Sequence, residues 1–510
     1  MPVSWLLTAV TAAIFWHMPY VVIMAASIQG LIKSLDIILI VFGAILLLNV
    51  LKCSGALRTI NNTFSEISPD RRIQVIVIAW IFGGFIEGVS GFGAAPALAA
   101  PLLVGLGFPA VTALAVTLIC NTLPVPFAAA GLPVISSLGT LTDRIALTGM
   151  SESEFNHAVF DKLTAISGLS GLFIPLLAIS LMILLSKRPG KLRSIIQITP
   201  LALFSAAAYI LPWRLTALYI GPELPSMIGA IICFPAILLC IKWRIMIPKE
   251  VWDFHDNEKH VINTVQQNDS PLMPSWQAWM PYIVLAGGLL ILRFPLLPFK
   301  ELLNSVTLKC PDIFGVANTG SSWKILNNPG ILPFCVLASA SALLWKIPVK
   351  KHLQIYSDTF KQIIMTILAL SAGVAMVQIM VFSSRNADGL PGMLNCIANS
   401  VAALTGKGFL AGSPFIGIFG TFFAGSCTVS NILFTALQFD TAHALNSDTM
   451  LATALQNLGG GLGSMIRISG IIAACATVKA AGQEVKLLLL NVVPVLLLTL
   501  LALTVMWILY

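Results

Sequence analysis

Long uninterrupted apolar runs constrain this chain more than any other feature of it. Leu163 to Leu185, Leu224 to Ile241 and Leu487 to Leu500 approach or exceed the ~18 to 20 apolar residues that a helix needs to cross about 30 Å of hydrocarbon. In lipid every backbone group must be satisfied within the protein, which leaves membrane helices or a closed barrel. Barrel strands alternate apolar and polar residues over segments of about ten, and these runs do not alternate. The expected fold class is therefore an all-α polytopic membrane protein with about a dozen spans. Composition agrees: 57% of residues are hydrophobic, 10% are charged and the mean hydropathy is +0.92, outside the range of soluble domains.

The formal net charge of +8 does not point to nucleic acid. Four segments, Lys52 to Arg72, Lys187 to Arg193, Lys242 to Pro274 and Lys346 to Lys361, each hold four Lys or Arg, together sixteen of the twenty-nine. Placing them on the cytoplasmic side leaves the other loops poor in basic residues, as the positive-inside tendency expects. Spans are then expected near 3–28, 35–51, 163–186, 194–211, 224–241, 276–293, 330–346 and 362–384, with a final helix at 487–509. The first 28 residues lack a basic start and a cleavage signal, and read as the first membrane helix. The loop 249–271 is mixed in charge and aperiodic, and is expected at the surface; its His255 and His260 read as solvated residues. The nine cysteines show no CxxC pair, so neither disulfides, a metal nor a cofactor is expected.

Two stretches break the apolar pattern in a related way. "FGGFIEGVSGFG" begins at Phe82 and "FGTFFAGSCTVS" at Phe419, an offset of 337 residues. A second interrupted stretch follows each one. The first contains Asn121 and the second Asn457, an offset of 336. Paired interruptions at corresponding places in two halves point to the binding site of a secondary transporter; the competing reading is close helix packing through small residues. Packing accounts for the glycines but not for Glu87, Asn121, Asn431 and Asn457. The segment 389–405 is only moderately apolar and is expected along the interface, which would make the two repeats inverted. The resulting division is N-terminal scaffold helices 1–72, a first hairpin and broken helix 73–135, scaffold helices and central loop 136–413, a second hairpin and broken helix 414–482, and a C-terminal helix 483–510.

Non-helical backbone at membrane depth persists only against protein or a wet cavity. Past the break at Ser90, Gly91 and Gly93, a helix starting near Ala94 would leave its first amides without helical partners. Free amides and the helix dipole favour an anion. In the second unit, "GSCTVSN" is expected to repeat the device ahead of "ILFTAL", with Ser426, Thr428, Ser430 and Asn431 at the break. Asn121, Thr122 and Asn457 belong to the second interrupted stretches. Hydroxyls and amides of this kind suit carboxylate oxygens. Glu87, one turn before the break, is an intramembrane carboxylate and reads as the proton carrier. Arg467 can pair with a substrate carboxylate, balance Glu87 or reach to the interface. A membrane-embedded enzyme would want a catalytic constellation, whereas His17 and His443 stand isolated.

"GFIEGVSGFGAAPALAAPLLVGLGFP", "NTLPVPFAAAGLPV", "IGPELP" and "GSCTVSNILFTALQ" resemble the lactate permease family of bacterial carboxylate symporters, in order from about Ser68 to Ala481. The resemblance implies a multi-pass protein of the bacterial inner membrane that imports L-lactate, D-lactate or glycolate with protons. It also implies an ion-transporter fold of inverted repeats and re-entrant hairpins, often an elevator-type homodimer. Glu87 stands at the acid of the family's EGAAGFG pattern, and Asn121, Thr122 and Pro124 at its NT-P pattern. Two positions depart: Cys427 stands where GSDTSSN has Asp, and Ser464 where GKMISPQ has Lys. Arg467, three residues on, is expected to lie on the same helical face and partly replace that Lys. The two losses also leave room for an organic-anion exchanger or exporter.

Overall fold

The computed structural model describes residues 2–91, 93–141, 144–254, 273–293, 305–324, 326, 334–393, 396, 400, 403 and 408–510. Helices dominate it. The first expected span is instead two elements, α1 (Pro2–Ile14) and α2 (Tyr20–Ser54). The break comes at His17, with φ +44°, and at Pro19, which opens α2 and has no N–H to continue the preceding ladder. Nor does α2 pause between the expected spans. Gly30 serves packing there, since a Cβ on it would collide with the backbone of Ala375. The helix stops at Gly55, whose φ of +81° suits glycine and whose N–H reaches Lys52 O.

After α3 (Ala56–Ile67), buried Asp70 caps α4 (Arg71–Gln74) by accepting from the Arg72 amide at 2.9 Å. The chain continues without interruption into a π-helical stretch (Val75–Phe82) and α5 (Gly83–Ser90). Next come α6 (Ala94–Gly105), α7 (Ala110–Cys120), a 3₁₀ turn (Val125–Phe127) and α8 (Ala128–Gly139). α9 (Glu152–Gly171), opened by a Ser151/Glu154 capping box, and α10 (Ile174–Leu185) make the run expected at 163–186, begun eleven residues earlier. α11 (Lys191–Tyr219), α12 (Pro225–Trp243) and α13 (Ser275–Arg293) follow. An antiparallel hairpin, Thr307–Cys310 with Ser321–Lys324, was not expected from the sequence.

The second half comprises α14 (Val336–Leu344), α15 (Val349–Phe382), α16 (Phe409–Ala424), α17 (Cys427–Ala444), α18 (Thr449–Gly463), α19 (Ile468–Thr477) and α20 (Glu484–Leu509). Among the described residues five helical stretches are long and apolar enough to cross a membrane: Glu152–Leu185, Lys191–Tyr219, Pro225–Trp243, Thr449–Thr477 and Glu484–Leu509. By contrast α6, α7 and α8 have 12, 11 and 12 residues. At 1.5 Å per residue each covers roughly 18 Å, about half the way across.

Packing is layered around these short helices. α2 and α15 cross antiparallel, with Ser34 Oγ 3.1 Å from Ser371 Oγ and Asn49 donating to Thr359 at 3.0 Å, and lie behind α6 and α19. α5 packs on α12 and lies beside Tyr209 of α11, while α16, α17 and α18 pack on one another. The start of the central loop is docked, not free at the surface. Trp252 and Phe254 are buried, and the Arg72 guanidinium binds Asp70, Ser194 O and Glu250 O. Burial of an arginine is tolerated where every donor is occupied in this way. His255 and His260 lie outside the described residues, as does most of the segment 389–405.

Candidate functional site

The first break is built by glycine. α5 ends at Gly91 (φ +62°), whose amide bonds Glu87 O at 2.9 Å, and α6 begins after Gly93 (φ +85°), so both positions need left-handed backbone. Both also lack room for a side chain. A Cβ on Gly91 would come within 2.8 Å of the Ala129 Cβ, and one on Gly93 would collide with the Arg467 guanidinium. Glu87, one turn earlier on α5, is 1% exposed. The Asn121 side chain and the amides of Gly93 and Ala95, at the start of α6, are turned toward its carboxyl group.

The second break is shorter than the sequence suggests. α16 ends at Gly425 (φ +68°), Ser426 is extended, and α17 already begins at Cys427. Thr428, Ser430 and Asn431 therefore stand within the helix and not at the break. The second interruption of this half also lies elsewhere than expected. Asn457 and Gly459 to Gly461 are inside α18, which runs to Gly463. These glycines admit neighbouring helices: a Cβ on Gly459 would collide with Pro414 O, and one on Gly460 would come within 2.7 Å of Cys427 Sγ. The true interruption is Ser464 to Arg467, and Arg467 caps α19. Ser464 and Arg467 thus do not share a helical face.

The two breaks meet. Glu87, Gly91, Ser426, Cys427, Thr428 and Arg467 line one partly open cavity, whose remaining wall is drawn from Val125, Ala128, Ala129, Leu132 and Pro133. Its free volume, about 20 Å³, holds a water or so. Arg467, 5% exposed, and Glu87, a base and an acid, both face this cavity, yet no direct ion pair joins them among the described residues. Glu87 Oε2 and Arg467 Nε are without a hydrogen-bond partner there, as are the nearby buried Asn121 Oδ1, Thr421 Oγ1 and Ser464 Oγ. Buried polar atoms left unpaired cost free energy, and these five lie at or beside the breaks.

Of the residues singled out in the sequence, Glu87, Gly91, Ser426, Thr428 and Arg467 line the cavity, and Gly93 and Asn121 border it. Ser90 closes α5, and its side chain lies outside the described residues. Thr122 turns away, donating to Ile119 O at 2.8 Å and lining a separate small cavity with Ser167 and Ser170. Ser430, Asn431 and Asn457 meet one another instead. Asn431 Nδ2 donates to Asn457 Oδ1 (2.7 Å) and Pro133 O (3.0 Å), Asn457 Nδ2 donates to Ser137 Oγ (2.8 Å), and Gln456 Nε2 donates to Ser430 Oγ (3.1 Å). Sequence reasoning missed the apolar wall and Gly470, where a Cβ would collide with Arg467. The signals for the wall are the quoted stretch NTLPVPFAAAGLPV and, within it, the glycine at 131, needed for a φ of +78°.

Comparison with known proteins gives this arrangement relatives. The whole chain, residues 1–510, matches the family model described as L-lactate permease. The L-lactate permease of Bacillus subtilis is 28% identical over 93% of this chain and 85% of its own length, and that of Escherichia coli K12 is 27% identical over 93% and 84%. The glycolate permease of E. coli K12 is 27% identical over 94% of this chain and 86% of its own. With its whole length matched and its two interrupted units meeting at one cavity, the chain belongs to the L-lactate permease family, a divergent member of a family of membrane permeases and not of enzymes.

Proposed function

We propose that this protein carries a small monocarboxylate, lactate or glycolate by analogy with the names of its relatives, together with a proton across a bacterial inner membrane. One observation carries the reading: a carboxylate and a guanidinium, both buried, face the same cavity without pairing, each with an unpartnered atom. The α6 amides add positive potential at the same spot. When Glu87 takes up a proton, Arg467 and these amides lose their counter-charge, and a substrate carboxylate restores it. Proton and anion therefore favour each other's binding, which is the thermodynamic content of coupling.

Alternating access would open this cavity to each side of the membrane in turn. An inverted duplication is part of the same reading, and the order of the helices fits it. α2, α6, α7 and α8 recur as α15, α17, α18 and α19 in the same order. Ser34 and Ser371, separated by the same 337 residues as the two break motifs, touch each other. That is the contact expected of two positions astride a pseudo-two-fold axis. The units 73–135 and 414–482 would then move against the scaffold formed by the other helices.

The test is uptake of labelled lactate and glycolate into proteoliposomes under an imposed pH gradient. Wild type accumulates substrate when the outside is acidic, and Glu87→Gln exchanges substrate across the membrane but no longer accumulates it in response to the gradient. Full gradient-driven accumulation by Glu87→Gln removes Glu87 from the proton's path. Counterflow in wild type with no response to the gradient makes the protein an anion exchanger.

A further inference from the structure

The cavity has two chemically different sides. Its polar side comes from the breaks and Arg467, while its apolar side is one continuous stretch of chain between Val125 and Pro133. That stretch is held in unusual backbone. Ala129 has φ +47° and Gly131 φ +78°, a region that residues bearing a Cβ rarely enter. Its surroundings impose the shape: a Cβ on Gly131 would collide with Pro222 O, and the Ala129 methyl occupies the space that a Cβ on Gly91 would need. Glycine at 129 would take up this conformation with less strain. Alanine adds a methyl group, and that methyl stands at the wall of the cavity.

We propose that the Ala129 methyl, backed by Val125, is the stop that sets how long an alkyl chain the transported acid can carry. The inference rests on the monocarboxylate reading above and deepens it. Glu87 and Arg467 are the ionisable residues lining the cavity apart from Cys427, and each holds a buried atom without a partner, so the carboxylate end of the ligand is placed against them. Its carbon chain then has the 125–133 side to run against. Ala129 and Gly91 belong to the same unit, 73–135, so the stop keeps its place beside the first break as that unit moves.

The experiment is competition against labelled lactate uptake in proteoliposomes by glycolate, lactate, 2-hydroxybutyrate and 2-hydroxyvalerate, using wild type, Ala129→Gly and Val125→Ala. Ala129→Gly is expected to move the length limit outward by one carbon, the first excluded acid gaining about fourfold in competition, the worth of one buried methylene, while glycolate is unchanged. Val125→Ala, which keeps the backbone of the strained turn, is expected to shift the limit in the same direction and is the deciding variant if Ala129→Gly fails to fold. A uniform change across the series, or none, overturns the proposal while leaving the monocarboxylate reading intact. If wild type takes up none of these acids, that reading fails first and the proposal falls with it.

Discussion

Arg467 is held in place by what its neighbours lack. Gly93 on one side and Gly470 on the other leave it a slot that any Cβ would close, and the cavity offers it no carboxylate at bonding distance among the described residues. A guanidinium so placed can fork onto an incoming carboxylate, which an ammonium cannot reproduce. Arg467→Gln is expected to raise the KM for lactate uptake roughly 10- to 150-fold, the loss of charge-assisted bonds worth about 1.5–3 kcal/mol. Arg467→Lys should recover only part of it, and an unchanged KM in the glutamine variant would leave Arg467 a structural residue. At this scale the sequence was informative wherever a residue departs from an apolar background. Glu87, Arg467 and the left-handed glycines 91 and 93 are such departures. Val125, Ala128 and Ala129 look like any other membrane residues, and only their position beside Glu87 makes them a wall.

Helices were legible by their apolar length and misjudged at their ends and interruptions. Glycine has two uses in a membrane helix, breaking it and letting a neighbour approach, and spacing does not separate them. At Gly91, Gly93 and Gly425 the backbone is left-handed, whereas at Gly30 and Gly459 to Gly461 the helix continues and a neighbouring helix fills the space. Reading the latter as breaks put Asn457 at an interruption, when it lies in the middle of α18 within a saturated network. Gln438 bonds both Ser413 and Gln456, and Ser137 bonds both Asn457 and Thr435, joining α8 to α16, α17 and α18. Asn457→Ala would strand Asn431 and Ser137 partners at a cost of about 1–3 kcal/mol. The expected outcome is a melting temperature in detergent lowered by several degrees, with the lactate KM near that of wild type. A KM raised as far as in Arg467→Gln would restore Asn457 to the role of substrate ligand that its sequence context suggested.

Across the whole molecule, the proposed division into moving and fixed parts makes contacts within the scaffold differ in kind from contacts across its boundary. Ser34 and Ser371 sit where α2 and α15 cross, both in the scaffold, 3.1 Å apart. Lys162 on α9 and Asp448, which caps α18, form an ion pair of 3.0 Å that joins scaffold to moving unit. Such a pair, partly exposed, contributes little to stability and can break and reform as the unit travels. Tying each pair covalently separates the two cases. With Ser34→Cys and Ser371→Cys joined by a short bifunctional thiol reagent, lactate uptake in proteoliposomes is expected to persist, because the distance between these residues does not change in the cycle. With Lys162→Cys and Asp448→Cys joined in the same way, uptake is expected to stop and to return when the link is cleaved, while the two unlinked variants stay active. Uptake that survives the second link places α9 and α18 in one rigid body, and the moving unit would then have to be sought at α5 and α12, where Gly84 and Gly88 give α5 a smooth face against Tyr209 and Ser226.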